Sequence, residues 1–195
     1  MAQLKMYRLK KTPERVELAP GYTWRIFNNT DEDIDAWIRV CKNGLLKEDA
    51  DRGDFCSRMT QRAYFKPDDI FFIEKDSVPV ATITAITENG NNNTGYVHMV
   101  AASPECRGKG IGNFMNYLAL CRFEENGCPI SYLTTDEFRV PAVKSYLTAG
   151  FLPVLYDDEE EMERRWASML KLFGIPEIDA LDNDGNFAKK IKAEA

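Results

Sequence analysis

Histidine is almost missing from this 195-residue chain, and His98 is the single example. The five cysteines, Cys41, Cys56, Cys106, Cys121 and Cys128, are odd in number and contain no Cys-x-x-Cys pair. Both facts speak against a zinc centre and a disulfide framework, so no metal is expected and the cysteines read as small apolar residues. No stretch approaches the roughly 18 consecutive apolar residues of a membrane span. The first eleven residues alternate basic and apolar side chains without the continuous apolar segment of a secretory signal. A cytoplasmic protein with no membrane partner is the expectation. Basic charge is also in short supply: 25 Lys and Arg against 31 Asp and Glu leave a net charge of −6. A nucleic-acid partner would normally meet a basic face, so that class is set aside. The acidic balance suits a cationic substrate and equally suits mere solubility.

What remains is the composition of an ordinary globular protein, 44% hydrophobic and 29% charged. The length supports one good core and is slightly short for two. The pattern places an N-terminal extension at 1–20, a principal domain at 21–156, and a C-terminal helix with its tail at 157–195. Residues 22–27 alternate as a strand. Asn28 to Asp31 offer cap chemistry for a helix through Ile34, Trp37, Ile38 and Cys41, which Asn43 and Gly44 end. A polar helical stretch follows at about 47–62. Strands at 70–74 and 78–87 have hairpin spacing, the 89–93 run is a turn, and 96–102 is a further strand of an antiparallel sheet.

After Ala102 the order becomes loop, helix, strand, helix. A helix is predicted from Asn113 to about Glu125, a strand at 130–135, a helix opened by Pro141 and closed at Gly150, and a last strand at 151–155. A terminal helix spans about 157–173. Asp182 to Asn186 resembles the start of a calcium loop but lacks the downstream glutamate, so it is read as a surface turn. The final residues, 189–195, are expected to fray.

The loop itself carries the chemistry. Arg107, Gly108, Lys109, Gly110, Ile111 and Gly112 set three alternating glycines between a strand and a helix. Glycine tolerates positive φ and lets a ligand approach backbone amides; the helix N-terminus adds free N–H groups and positive potential. Phosphate or pyrophosphate is the fitting ligand, with Arg107 and Lys109 adding charge. A Walker loop is ruled out because Asn113 and Phe114 follow Gly112, and the glycine spacing and preceding antiparallel strands do not suit a dinucleotide fingerprint.

Arg107-x-x-Gly110-x-Gly112, preceded by Ser103, Pro104 and Glu105, resembles the coenzyme-A motif of the GNAT acetyltransferase superfamily. Downstream, Ala142 through Tyr146 to Gly150 and Phe151 is similar to that family's second segment. Together the two motifs cover about 96–155. The resemblance implies an α/β (α+β) fold of GNAT type: a mixed, mostly antiparallel twisted sheet flanked by helices, with a splayed central strand pair that binds CoA. It also implies acetyl-CoA as co-substrate, its pantetheine arm on the backbone of Val100 and Ala102, its pyrophosphate on Arg107 to Gly112, and an N–H near Val100 facing the thioester oxygen.

The same resemblance places Tyr146 beside the thioester sulfur as general acid, and suggests His98 as a base acting through water. By strand alternation His98 and Val100 should share a face. Glu74 and Asp136 are fallback bases. Arg139 stands where many relatives carry an asparagine that contacts the pantetheine, so that contact is not carried over; Arg139 is read first as capping a surface turn, with an acidic acceptor or a CoA phosphate as the alternative partners. Cys106, beside the pyrophosphate loop, is not a candidate nucleophile. The implied reaction is direct attack of an amine, from a small molecule or a peptide, on acetyl-CoA; a homodimer is compatible with it. The competing reading is a non-catalytic CoA-binding or sensing module. The acceptor would be chosen by residues 37–65 and the loop near Tyr156.

Overall fold

A computed structural model describes residues 2–90 and 93–194. Asn91 and Asn92, inside the turn expected at 89–93, lie outside the described residues, as do Met1 and Ala195. The first half runs β1 (Leu4–Leu9), β2 (Tyr22–Ile26), α1 (Asp31–Cys41), α2 (Arg52–Phe55), β3 (Ile70–Lys75), β4 (Val78–Glu88) and β5 (Thr94–Ala102). The second runs α3 (Ile111–Glu125), β6 (Ile130–Thr135), α4 (Val140–Thr148), β7 (Leu152–Val154), α5 (Glu159–Phe173), β8 (Glu177–Leu181) and β9 (Phe187–Lys192). The expected mixed architecture of largely antiparallel strands and flanking helices is present. Two compact units divide the chain: Thr12–Pro129, and Met1–Lys11 with Ile130–Ala195.

In the Thr12–Pro129 unit the strands run in the order β2-β3-β4-β5, every neighbour antiparallel. Asp76 and Ser77 both adopt positive φ, 50° and 62°, giving the β3–β4 hairpin the two-residue turn that matches strand twist. Alternation decides the two faces. Ile70 and Phe72 join Trp37, Val40, Phe55 and Met59 in the α1-side core. Phe71 takes the other face, where the Arg122 guanidinium of α3 stacks 5.1 Å from its ring. Helix α3 is buried on more than the single side its sequence suggests, with Ile111, Met115, Leu118, Leu120 and Phe123 all inside.

Gly95 of β5 is required by packing. A Cβ there would sit 2.6 Å from Cγ of Phe123, which is only 3% exposed and cannot yield. Gly95→Ala should therefore destabilise the protein by about 1–3 kcal/mol, read as a lowered urea midpoint; an unchanged midpoint would show that α3 shifts freely.

An ion network ties β2 to α1. Arg25 donates to both Asp33 oxygens at 2.6 and 2.7 Å and to Glu74 Oε1 at 2.7 Å. Asp33 also accepts from the Asn28 N–H at 2.6 Å, and Thr30 caps the helix by accepting from the Asp33 N–H. Burial alone would raise the Asp33 carboxyl, but the Arg25 and Asn28 hydrogen bonds outweigh it and hold the carboxyl below its usual range.

The other unit has the strand order β6-β1-β7-β8-β9, antiparallel except for β7 with β8. Two expectations about the chain ends are corrected here. Leu4–Leu9 is a strand between two partners: its alternation puts Leu4 and Met6 in the core, with neither exposed. β7 is not the last strand, and the tail expected to fray supplies β9, with Ile191 fully buried. Pairing with β8 satisfies a backbone that a lone terminal segment would leave to water. Between β8 and β9, Asp182 accepts from the Asp184 and Asn186 N–H groups at 2.9 Å, which is the expected surface turn. α5 runs from its Asp158 cap to Gly174 in the left-handed conformation.

Candidate functional site

β5 hands over to the glycine loop through one 3-10 turn, Pro104–Cys106. Gly108 and Gly110 then take φ of 70° and 72°, strained for any residue with a Cβ. Because the chain has reversed by Gly110, α3 starts at Ile111, two residues earlier than the sequence suggests. Ile111 and Gly112 thus belong to its first turn. Thr30, Asp51 and Asp158 cap α1, α2 and α5 with side-chain oxygens, whereas Gly110 leaves α3 with no side-chain cap. The first helix-closing bond is Phe114 N–H to the Gly110 carbonyl at 3.1 Å, so the N–H groups of Ile111, Gly112 and Asn113 precede it. Arg107 and Lys109 are exposed, and neither meets a carboxylate among the described residues. A bare positive helix end beside two unpaired cations fits a pyrophosphate by both hydrogen bonding and charge.

Cys106, next to this loop, is buried; burial and the Glu105 charge push its thiol up, and Sγ lies 3.7 Å from the Val80 carbonyl. It is no thiolate nucleophile.

The strand before the loop is not regular. Thr84 faces His98 and Thr82 faces Ala101, so β5 carries one extra residue, and Met99 takes a φ of 47°. This is a β-bulge. It overturns the expectation that His98 and Val100 share a face. Met99 and Ala101 both join the α1-side core, the face on which His98 meets the Arg58 carbonyl. Val100 and Ala102, alternating with them, take the opposite side.

His98 is thoroughly engaged. Its Nε2 lies 3.2 Å from the Arg58 carbonyl oxygen, and its Nδ1 lies 3.2 Å from the Tyr96 hydroxyl. A carbonyl only accepts, so Nε2 carries the proton and Nδ1 is left to accept from Tyr96. The two rings also stack at 5.1 Å. Arg58 belongs to a single π-helical turn, Cys56–Thr60, that continues α2, and the Arg62 guanidinium lies 4.8 Å over the Tyr96 ring. Burial first, and then the positive charge of Arg62, push the His98 imidazolium down to about 4. Folding therefore favours neutral His98, and this stabilisation is present above the unfolded value near 6.5 and lost as pH falls through about 4. His98→Gln should flatten the dependence of Tm on pH between 4 and 6.5; a slope identical to wild type would contradict that burial cost.

The fallback bases are occupied. Glu74 holds Arg25, while Asp136 accepts from Gln3 at 3.2 Å and pairs with Arg139 at 3.5 Å. Arg139 occupies the N-cap position of α4 and stacks on Phe138 at 5.1 Å, in keeping with its surface-turn reading. Tyr146 lies on α4 in the second unit, 6% exposed, its ring 6.2 Å edge-on from that of Phe151. Sequence reasoning did not single out Tyr96, and it covered Arg58 and Arg62 only within the 37–65 stretch assigned to the acceptor. The two-residue spacing of Tyr96 and His98 on one strand was a usable signal, whereas nothing local announced the arginines. Among the described residues no group of three metal-ligating side chains comes together, and no helix is long and apolar enough to cross a membrane.

Comparison with known proteins identifies the family. Residues 32–151 match the model of the acetyltransferase (GNAT) family. A mycothiol acetyltransferase of Thermomonospora curvata is 28% identical over 142 residues, covering 70% of this chain and 46% of that protein. Among solved structures, a GCN5-related N-acetyltransferase from Sphaerobacter thermophilus aligns with a TM-score of 0.62 at 19% identity, over 78% of this chain and 49% of that one. A structure from Clostridium acetobutylicum described as a predicted acetyltransferase with acetyl-CoA aligns at 0.50 and 17% identity, over 64% and 88%. The chain spans about half the length of the curated relatives it matches. With more than half of its residues inside the family model, this chain belongs to the GNAT acetyltransferase family.

Proposed function

We propose that this protein moves an acetyl group from acetyl-CoA to a primary amine by direct attack, with no covalent enzyme intermediate. The observation that carries the reading is the start of α3 at Gly110 with no side-chain cap, flanked by Arg107 and Lys109, which have no carboxylate partner among the described residues. Acetyl-CoA supplies the activated thioester. Its pyrophosphate would rest on the amides from Arg107 to Gly112, and its pantetheine arm on the backbone of Val100 and Ala102. A backbone N–H near Val100, beside the Met99 bulge, would polarise the thioester carbonyl. Sharing a fold with a protein solved together with acetyl-CoA supports the same donor.

Two proton transfers remain for side chains. Tyr146 donates to the departing thiolate, which prevents its return. His98 is the water-linked base, with Tyr96 beside its accepting Nδ1. An imidazolium near pH 4 makes it a weak base, unable to strip a bound alkylammonium whose own value is about 10. The acceptor must therefore deliver a neutral amine, and kcat/KM should climb with pH up to the acceptor's own ionisation.

Arg107→Gln with Lys109→Gln should weaken CoA binding by roughly tenfold and reduce its salt dependence; calorimetry in 50 and 300 mM salt, each roughly on one side of physiological screening, reads both. The reading as a whole is tested by incubating the protein with acetyl-CoA and a broad amine panel while following thiol release. CoA binding without transfer to any amine would instead support a non-catalytic CoA-binding or sensing module.

A further inference from the structure

We propose that the face carrying His98 binds an anionic group of the acceptor, a carboxylate or a phosphate monoester, through Arg58 and Arg62. The inference deepens the acetyl-transfer reading by naming the acceptor class, and it rests on that reading for the amine alone.

The chain has more acidic than basic residues, yet among the described residues no carboxylate pairs with either of these two cations. Among the described residues, every other arginine except Arg107 donates to a carboxylate or a backbone carbonyl. Arg58 and Arg62 have no such side-chain partner. Acids were available to neutralise them, since Arg52, six residues earlier, has two, Asp31 and Asp35. Both stray cations act on one spot. Arg62 stacks on the Tyr96 ring, and both charges disfavour protonation of His98.

Stacking leaves the edge of a guanidinium available, and that edge is a planar fork matched to two oxygens of a carboxylate or phosphate. Arg58 belongs to the π-helical turn and its own backbone carbonyl holds His98, so its side chain springs from the residue that anchors the imidazole. An acceptor bridging this anion site and the His98–Tyr96 pair must carry its amine only a few bonds from its negative group. Amino acids and amino phosphates have that chemistry; extended polyamines do not. The net charge alone, which suits a cationic substrate, points the wrong way because it averages over the whole surface.

The test compares matched acceptors on the full chain: an α-amino acid against its primary amide, and an aminoalkyl phosphate against the parent amino alcohol. The expected result is a preference of at least roughly tenfold in kcat/KM for one anionic member, and loss of that preference in the Arg58→Gln, Arg62→Gln double variant. The pair showing the larger preference tells carboxylate from phosphate. In parallel, acetate and inorganic phosphate are titrated without acetyl-CoA and followed by the His98 and Tyr96 ring signals in NMR. Saturable shifts in the wild type that vanish in the double variant support the site even if no amine is acetylated, in which case only the acetyl-transfer reading fails. Equal or better use of neutral and cationic acceptors overturns the inference while leaving acetyl transfer standing. So do anion shifts that persist in the double variant, or their absence from the wild type.

Discussion

Tyr146→Phe is expected to lower kcat by roughly two to three orders of magnitude while CoA affinity stays within about twofold. The substitution keeps the ring that packs edge-on against Phe151 and removes only the hydroxyl. With Tyr146 only 6% exposed, stability should fall by no more than about 1 kcal/mol, the worth of one hydrogen bond. A residue that merely filled the core would show the opposite pattern, a stability loss with unchanged turnover. Single-turnover measurements separate the two, since the acid acts after the amine has attacked. Thioester donors with more acidic thiols should narrow the gap between variant and wild type, because a stable thiolate needs no proton. Wild-type turnover in the phenylalanine variant would remove Tyr146 from the mechanism.

The largest stability effect is expected at Arg25. Its side chain is 28% exposed, but the carboxylates it serves, Asp33 and Glu74, are 7% and 13% exposed. Arg25→Met leaves both without a countercharge in a site where water replaces it poorly. A cost of about 3–5 kcal/mol follows, the usual consequence of stranding a buried ion. Urea unfolding read by tryptophan fluorescence is the measurement. Adding Asp33→Asn should recover part of the loss, because the asparagine can still accept from the Asn28 N–H without carrying charge. A loss under about 1 kcal/mol would mean that the pair behaves as an exposed surface bridge.

The local grammar of the chain was largely legible. β6 occupies the expected 130–135, α1 begins after the Thr30 cap, and Gly150 ends α4 as its positive φ of 86° demands. These features depend on a few consecutive residues, so short-range spacing carries them. Misreadings cluster where a distant partner decides. Residues 189–192 look like a fraying basic tail until β8 gives their backbone a ladder. Likewise, Leu4–Leu9 lacks any turn or cap signal, yet β6 and β7 pair with its two edges.

The same division runs through the candidate site. The sequence by itself determined the glycine loop, because two left-handed glycines and an uncapped helix start are properties of the residues from Arg107 to Gly112. It also placed Tyr146 and His98 among the groups to consider. Only tertiary structure decided what surrounds His98. The bulge at Met99 separates it from the face of Val100, since one extra residue reverses a period of two. Its tautomer depends on a carbonyl forty residues away in sequence. Arg58 reaches this face through a π-helical turn that no hydrophobic period announces, and Arg62 follows just after it. Backbone conformation is written in neighbours, whereas the charge around a buried imidazole is set by whichever segments the fold returns to it.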